Sequence, residues 1–359
     1  ACSARTRSRG SSAMRIGTLK TSYAADEALF DSSVQRALLV LLALAAIAFP
    51  FVASPYWLFL ACLCAINVAS ATGLNLLTGY TGLVSLGQAA FMSVGAYTVA
   101  VLEIRLGTPF LLNLLFGASF AAMIGVLVGI PSLKVKGLYL AIATIAASVI
   151  LHFLFSHWSL TGESRGLSMP PARLFGLNLD QPFLLYWLIM PVTCLMVLGA
   201  ANLLRTRIGR AFIAIRDRDI SAEVLGIPLL RYKLTSFAIS SFYAGVAGGL
   251  WAYFFRVVTP ESFPLVNSIF YLAAIIVGGM GTILGGILGA VFMTLVPELL
   301  KFVANWATPI YPDALAALAP VRTIVFGGLI VGFLIFEPRG LAEIWRRLRR
   351  FFHLWPFRT

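Results

Sequence analysis

Ten apolar runs, each close to the length of a bilayer-crossing helix, occupy most of the chain and limit its fold before any motif is considered. They lie at about Ala37–Ser54, Tyr56–Leu77, Leu86–Ile104, Phe110–Ile130, Gly137–His157, Pro182–Leu204, Leu234–Phe255, Asn267–Met280, Ile283–Phe302 and Ala314–Phe336. A span needs roughly 20 predominantly apolar residues to match the hydrocarbon core. Lipid offers the backbone no hydrogen-bond partner, so only helices and closed barrels cross it. A barrel requires short strands of alternating polarity, and a run such as ALLVLLALAAIAF does not alternate. The predicted fold is therefore all-α: a polytopic integral membrane protein with about ten transmembrane helices, some of them broken or re-entrant. Composition agrees, with 60% apolar and 11% charged residues, where a soluble chain carries about 25% charged.

The formal charge of +13 would suggest nucleic acid in a soluble protein. Position gives it another meaning. Of the 27 basic residues, 21 fall in four clusters: before the first span (Arg5 to Arg36), at Lys134 and Lys136, between Arg205 and Lys233, and after Phe336. With ten spans and the N-terminus inside, all four clusters lie in the cytoplasm, as the positive-inside rule requires, and no nucleic-acid partner is needed. Trp57, Trp158, Trp187, Trp251 and Trp306, with Tyr56, Tyr186, Tyr253 and Tyr311, fall near the predicted outer ends, where amphipathic rings favour the headgroup layer. The organisation expected is a cytoplasmic tail over 1–36, a transmembrane region over 37–336 with a cytoplasmic loop at 205–233, and a cytoplasmic amphipathic helix over 337–359. The first apolar run exceeds a signal peptide's core of about 7–15 residues and is read as a span. Met14 is a candidate start, with Ala1–Ala13 read as tag, scar or over-extended frame.

Enzyme chemistry has no carrier. The chain contains no GK dipeptide and hence no Walker A loop. His152, His157 and His353 lack carboxylate or cysteine neighbours at ligand spacing. Cys62, Cys64 and Cys194 sit in apolar runs as small hydrophobes, and Cys2 lies in the tail. Glu103, Glu298 and Glu337 fall near helix ends, so the spans offer no midplane carboxylate for ion coupling. That weighs against an autonomous secondary transporter or channel, and a purely structural scaffold requires the long basic loop to bind nothing.

Two places break the pattern, GYTGLVSLGQAAF (Gly79–Phe91) and GGMGTILGGILGA (Gly278–Ala290). Glycines recur at matching offsets: Gly79, Gly82 and Gly87 in one, Gly278, Gly281 and Gly286 in the other. One reading is close helix packing through small residues. The other is a broken helix in each half of an internal repeat, lining a pathway. Asn75, Ser85 and Gln88 add neutral polar groups and complete the set of path candidates, although interhelical glue of about 0.6–2 kcal/mol per bond is the alternative.

The loop RTRIGRAFIAIRDRDISAEVLGIPLLRYK (Arg205–Lys233) contains a helix-like core from Gly209 to Leu225, closed by Gly226 and Pro228. Phe212, Ile215, Ala222 and Leu225 fall near one stripe, which suits either the membrane surface or a groove in another protein. Past Gly340, the spacing of Leu341, Ile344, Trp345, Leu348, Phe352 and Trp355, with arginines between, predicts a surface-lying anchor helix on anionic lipid.

From about Ala37 to Leu341 the chain resembles the LivM-type permease subunit of branched-chain amino acid ABC importers. The likeness is carried by GLNLLTGYTGLVSLGQAAFMSVGAY (Gly73–Tyr97), GLYLAIATIA (Gly137–Ala146), LTGESRGLS (Leu160–Ser168), RIGRAFIAIRDRDISAEVLGI (Arg207–Ile227) and IIVGGMGTILGGILGA (Ile275–Ala290). The resemblance implies a subunit that is not itself an enzyme, forming half of a pathway for branched-chain or other amino acids, with urea or short amides as alternative cargo. A periplasmic substrate-binding protein, a sister LivH-type permease and two ATP-binding subunits, which carry the ATP and Mg2+, would complete the machine in the bacterial inner membrane, both termini of this chain being cytoplasmic. Gly209–Gly226 would be the coupling helix, with Arg210, Arg216 and Glu223 as polar contacts to an ATPase and Phe212 and Ile215 as apolar anchors. Glu163 and Arg165, in the segment Ser159–Gln181, would help receive the binding protein. The family tends to carry histidine where this chain has Gln88, which leaves no titratable group there.

Overall fold

A computed structural model describes residues 44–132, 137–174, 177–178, 181–307, 318–337 and 340–353. The chain divides into two units, Ala1–Ala53 and Ser54–Thr359. In the first, the described part is a helix over 44–52 (α1). The remainder of that predicted span, and the tail with Met14, lie outside the described residues, as do Lys134, Lys136 and Tyr311.

The second unit is helical almost throughout. Its helices are α2 (Pro55–Leu74), α3 (Gln88–Leu106), α4 (Phe110–Ser132), α5 (Leu138–His157), α6 (Pro182–Arg205), α7 (Arg207–Asp217), α8 (Asp219–Val224), α9 (Leu229–Phe255), α10 (Leu265–Gly278), α11 (Ile283–Ala307), α12 (Leu318–Phe336) and α13 (Leu341–His353). Among the described residues, eight segments are long and apolar enough to cross a membrane. They coincide with the second to ninth predicted runs, and α12 covers most of the tenth. Helix starts follow local chemistry: Pro55 and Pro182 open α2 and α6 at the position where their missing N–H costs nothing.

The core is built around α9, which packs on α2, α3 and α4. Backbones approach there through small residues. A Cβ on Gly95 would stand 2.5 Å from the Gly245 Cα, and one on Gly245 2.8 Å from the Ala118 Cα. This is the close packing that membrane helices use where lipid supplies no hydrophobic drive. At the end of α9 far from the basic loop, β1 (Leu167–Ser168) pairs antiparallel with a second short strand, Val257–Val258, tying the loop after α5 to the loop after α9.

Candidate functional site

The two glycine segments are breaks in helices, and they meet. α2 runs into a π-helical turn, Asn75–Tyr80, and the chain then leaves helical geometry until α3 begins at Gln88. Gly82 turns it with φ +77°. In the second half α10 ends at Gly278 and α11 starts at Ile283, with Gly281 at φ +74°. The two glycines at the same offset thus adopt the same left-handed conformation, which a side chain disfavours.

Irregular backbone at this depth needs partners. In the first elbow, the Leu83 N–H reaches back to the Leu77 carbonyl at 3.2 Å. The Thr78 and Thr81 hydroxyls donate to the carbonyls of Leu83 and Leu76, at 3.1 and 3.0 Å. The Leu86 N–H donates to the Thr144 hydroxyl at 2.9 Å. Ser85 is buried and accepts from the Gly87 N–H at 3.3 Å. The second elbow is held from the first: the Asn75 side-chain amide donates to the Thr282 carbonyl at 2.8 Å and accepts from the Gly281 N–H at 2.9 Å. Gly79 lies directly on Gly281, where a Cβ would collide with the Gly281 nitrogen. Gly286 faces the same amide, Gly278 packs on Gly289, and Gly87 packs on Phe91.

Gln88 is buried at the start of α3, where its amide donates to the Ser70 carbonyl at 2.9 Å and accepts from the Ser240 hydroxyl at 3.4 Å. Two turns before Asn75, on the same face of α2, Asn67 donates to the Thr294 hydroxyl and accepts from the Tyr271 hydroxyl, both at 2.9 Å. One face of α2 therefore carries the polar bonds that hold α10 and α11. Glu103, 8% exposed, adds a buried acid to the polar interior and accepts from the Asn113 amide and the Tyr253 hydroxyl, each at 2.7 Å. Its partners lie 10 and 150 residues away, beyond the reach of any local pattern.

The basic loop differs from its sequence reading. Instead of one helix it forms two, because Arg218 adopts an extended conformation (φ −156°, ψ 104°) between α7 and α8. The predicted stripe holds across the break and ends with α8: Phe212 (0% exposed), Ile215 (4%) and Ala222 (2%) turn inward onto the chain itself, whereas Leu225, the residue that caps α8, is 80% exposed. Gly209 is buried against Leu204, while Arg210 and Glu223 are exposed. Beside Leu225, Ile220 (70%) and Val224 (83%) also face outward. Gly226, at φ +84°, ends α8 as its sequence signals, with its N–H on the Glu223 carbonyl and that of Ile227 on the Ala222 carbonyl. Arg216 points toward the elbows and donates from Nη1 to the Gly79 carbonyl at 3.1 Å.

At the opposite end of α9, Glu163 and Arg165 are exposed in a 3-10 turn just before β1. A small pocket lined by Met92, Trp251, Phe263, Asn267 and Tyr271 lies between α3, α9 and α10. The C-terminal helix α13 seats its first turn on the second elbow, where a Cβ on Gly340 would stand 2.7 Å from the Gly279 Cα. Its Arg346 and Arg347 pair with acids, at 3.0 Å to Glu343 and 2.8 Å to Glu337, while Trp345 and Leu348 are exposed.

Residues 56–334 match the family model described as the permease component of branched-chain amino acid transport systems. The high-affinity branched-chain amino acid transport system permease protein LivM of Escherichia coli (strain K12) is 32% identical over 337 residues, covering 87% of this chain and 76% of that protein. The probable LivM of Methanocaldococcus jannaschii is 24% identical over 75% of this chain and 88% of its own length. An autoinducer 2 import system permease protein, LsrC of Enterobacter sp. (strain 638), is 29% identical over 76% of this chain and 81% of its own length. No solved structure matches the chain significantly. A helical multi-pass architecture, paired glycine elbows and a family match over most of the chain lead to one conclusion: this is a membrane permease of the branched-chain amino acid transport system permease family.

Proposed function

We propose that the chain is one membrane subunit of an ATP-driven importer, forming half of the pathway for branched-chain amino acids. A sister LivH-type permease forms the other half, two separate subunits hydrolyse ATP, and a periplasmic binding protein delivers the cargo. The 207–226 segment and both termini face the cytoplasm of an inner-membrane protein, and Glu163 and Arg165 face the binding protein. The observation that carries the reading is the outward apolar cluster Ile220, Val224 and Leu225, set among exposed charges on a short helix. Such a cluster suits a groove in a partner, since its side chains are 70–83% exposed among the described residues. It replaces Phe212 and Ile215 as the apolar anchors, with Arg210 and Glu223 as flanking polar contacts.

Purification of the tagged chain from native membranes tests the assembly. A second permease and an ATP-hydrolysing subunit are expected to co-purify, and Val224→Asp with Leu225→Asp should release the ATPase while keeping the sister permease. Recovery of the chain with no ATPase would favour an autonomous transporter instead. A second reading keeps the machinery and changes the cargo to urea or a short amide; a relative named for autoinducer 2 import supports only that similar permeases serve cargo other than branched-chain amino acids. Competition of leucine uptake by isoleucine and valine but not by urea or acetamide is the expected result.

A further inference from the structure

Arg216 lies where the cytoplasmic helices meet both elbows, and its contacts differ from those of a docking residue. Its stem packs on the first elbow: a Cβ on Gly82 would stand 3.2 Å from the Arg216 Cγ. Its guanidinium reaches the second: a Cβ on Gly281 would stand 2.7 Å from Nη1. The same Nη1 donates to the Gly79 carbonyl at 3.1 Å, in the last turn of the π-helical segment. Terminal carbonyls have no partner within their own helix, and a cation there is favoured by the helix dipole. The other edge of the fork is held on α7 itself, with Nε and Nη2 each 3.2 Å from one carboxylate oxygen of Asp217. One planar group thus connects α7 to the two equivalent left-handed glycines, and Asn75 fastens those elbows to each other.

We propose that Arg216 is the positioning residue through which displacement of α7 and α8 reaches the two elbows, so that both broken helices move as one when the ATPase closes. This rests on the coupling role given above to the 207–226 segment. It assigns Arg216 to transmission and leaves docking to Ile220, Val224 and Leu225. A flexible ammonium could meet the Gly79 carbonyl or Asp217 but would not bridge them as the planar fork does.

The test compares the wild-type assembly, with ATPases and binding protein in lipid vesicles, with Arg216→Gln, Arg216→Lys and the Val224→Asp, Leu225→Asp pair. Arg216→Gln should keep the ATPase at its wild-type ratio on purification, yet lower leucine imported per ATP hydrolysed at least tenfold. Arg216→Lys should recover part of that loss. Hydrogen exchange should show that nucleotide still alters protection at 219–226 in Arg216→Gln but no longer at 75–82 and 278–286, a decoupling that simple destabilisation does not produce. Transport per ATP within twofold of wild type, or loss of the ATPase on purification, overturns the assignment. If Arg216→Gln does not survive extraction, Arg216→Lys is judged by the same exchange criterion. The paired aspartate variant separates the two levels: retention of the ATPase there sinks the docking reading, whatever Arg216 does.

Discussion

The two elbows share a left-handed glycine at the same offset, yet they are held in different ways. The first, Thr81–Gly87, is braced mostly by hydroxyls around it: Thr78 and Thr81 from its own strand of chain, and Thr144 from α5. The second, Gly279–Thr282, is shorter: its Gly281 N–H is held by the side-chain amide of Asn75, 206 residues away, which also shares the Thr282 carbonyl with the Gly286 N–H. The Thr282 hydroxyl adds a local bond to the Gly279 carbonyl at 3.0 Å. A break braced locally keeps its shape when its neighbours move, whereas one braced by the other break must follow it. The asymmetry makes the first elbow the reference frame and the second its dependent.

The comparison is broken most severely by Gly281→Val. A branched side chain would have to adopt φ +74° while meeting the Arg216 guanidinium and the Gly79 carbonyl at 2.7 and 2.9 Å. Backbone strain of about 1–3 kcal/mol and overpacking of similar size give a cost on the order of 3 kcal/mol or more. The detergent-solubilised protein should melt at markedly lower temperature and transport should be lost; a melting point within a degree or two of wild type would contradict the close contact. Next comes Asn75→Leu, which leaves the Gly281 N–H unpaired at about 1–3 kcal/mol, while the Thr282 carbonyl keeps the Gly286 N–H. Hydrogen exchange should rise over 279–286 while 81–87 keeps its protection, and equal loosening of both would erase the asymmetry. Thr144→Val removes one bond to the first elbow and should cost about 1–2 kcal/mol. Its effect is confined to 81–87, the converse of Asn75→Leu. Smallest in stability is the Val224→Asp, Leu225→Asp pair. Both side chains are more than three-quarters exposed, at 83% and 80%, so the folded chain should change by no more than about 0.5 kcal/mol. The expected loss is of the partner alone.

What the sequence makes legible follows from how local the determinants are. Apolar runs mark the spans because lipid selects helices segment by segment, and the described helices α2 to α11 include all eight that qualify. The glycine offsets mark the elbows because a left-handed residue is a local demand, met at Gly82 and Gly281 alike. Gly226 marks the end of α8 for the same reason. The direction of side chains on the basic loop is not local. α8 stops at Val224, so a stripe drawn on a continuous helix places Leu225 with Phe212 and Ala222 when the structure turns Leu225 outward. Arg216 reads as a surface charge until its neighbour 137 residues earlier, Gly79, is known. The bracing amides are the same kind of case: Asn75 and Gln88 stand out as polar residues in apolar runs, but their roles as clamps depend on partners from other helices.

Under the proposed function, transport through this chain is driven by ATP hydrolysis on another subunit, acting through the 207–226 segment. Leucine uptake by vesicles holding the purified assembly and its binding protein, with ATP on the side that bears this segment, measures it most directly. Uptake should require hydrolysable ATP and disappear in the Val224→Asp, Leu225→Asp variant. Equal uptake with a non-hydrolysable analogue, or by the chain without any ATPase, would contradict the account.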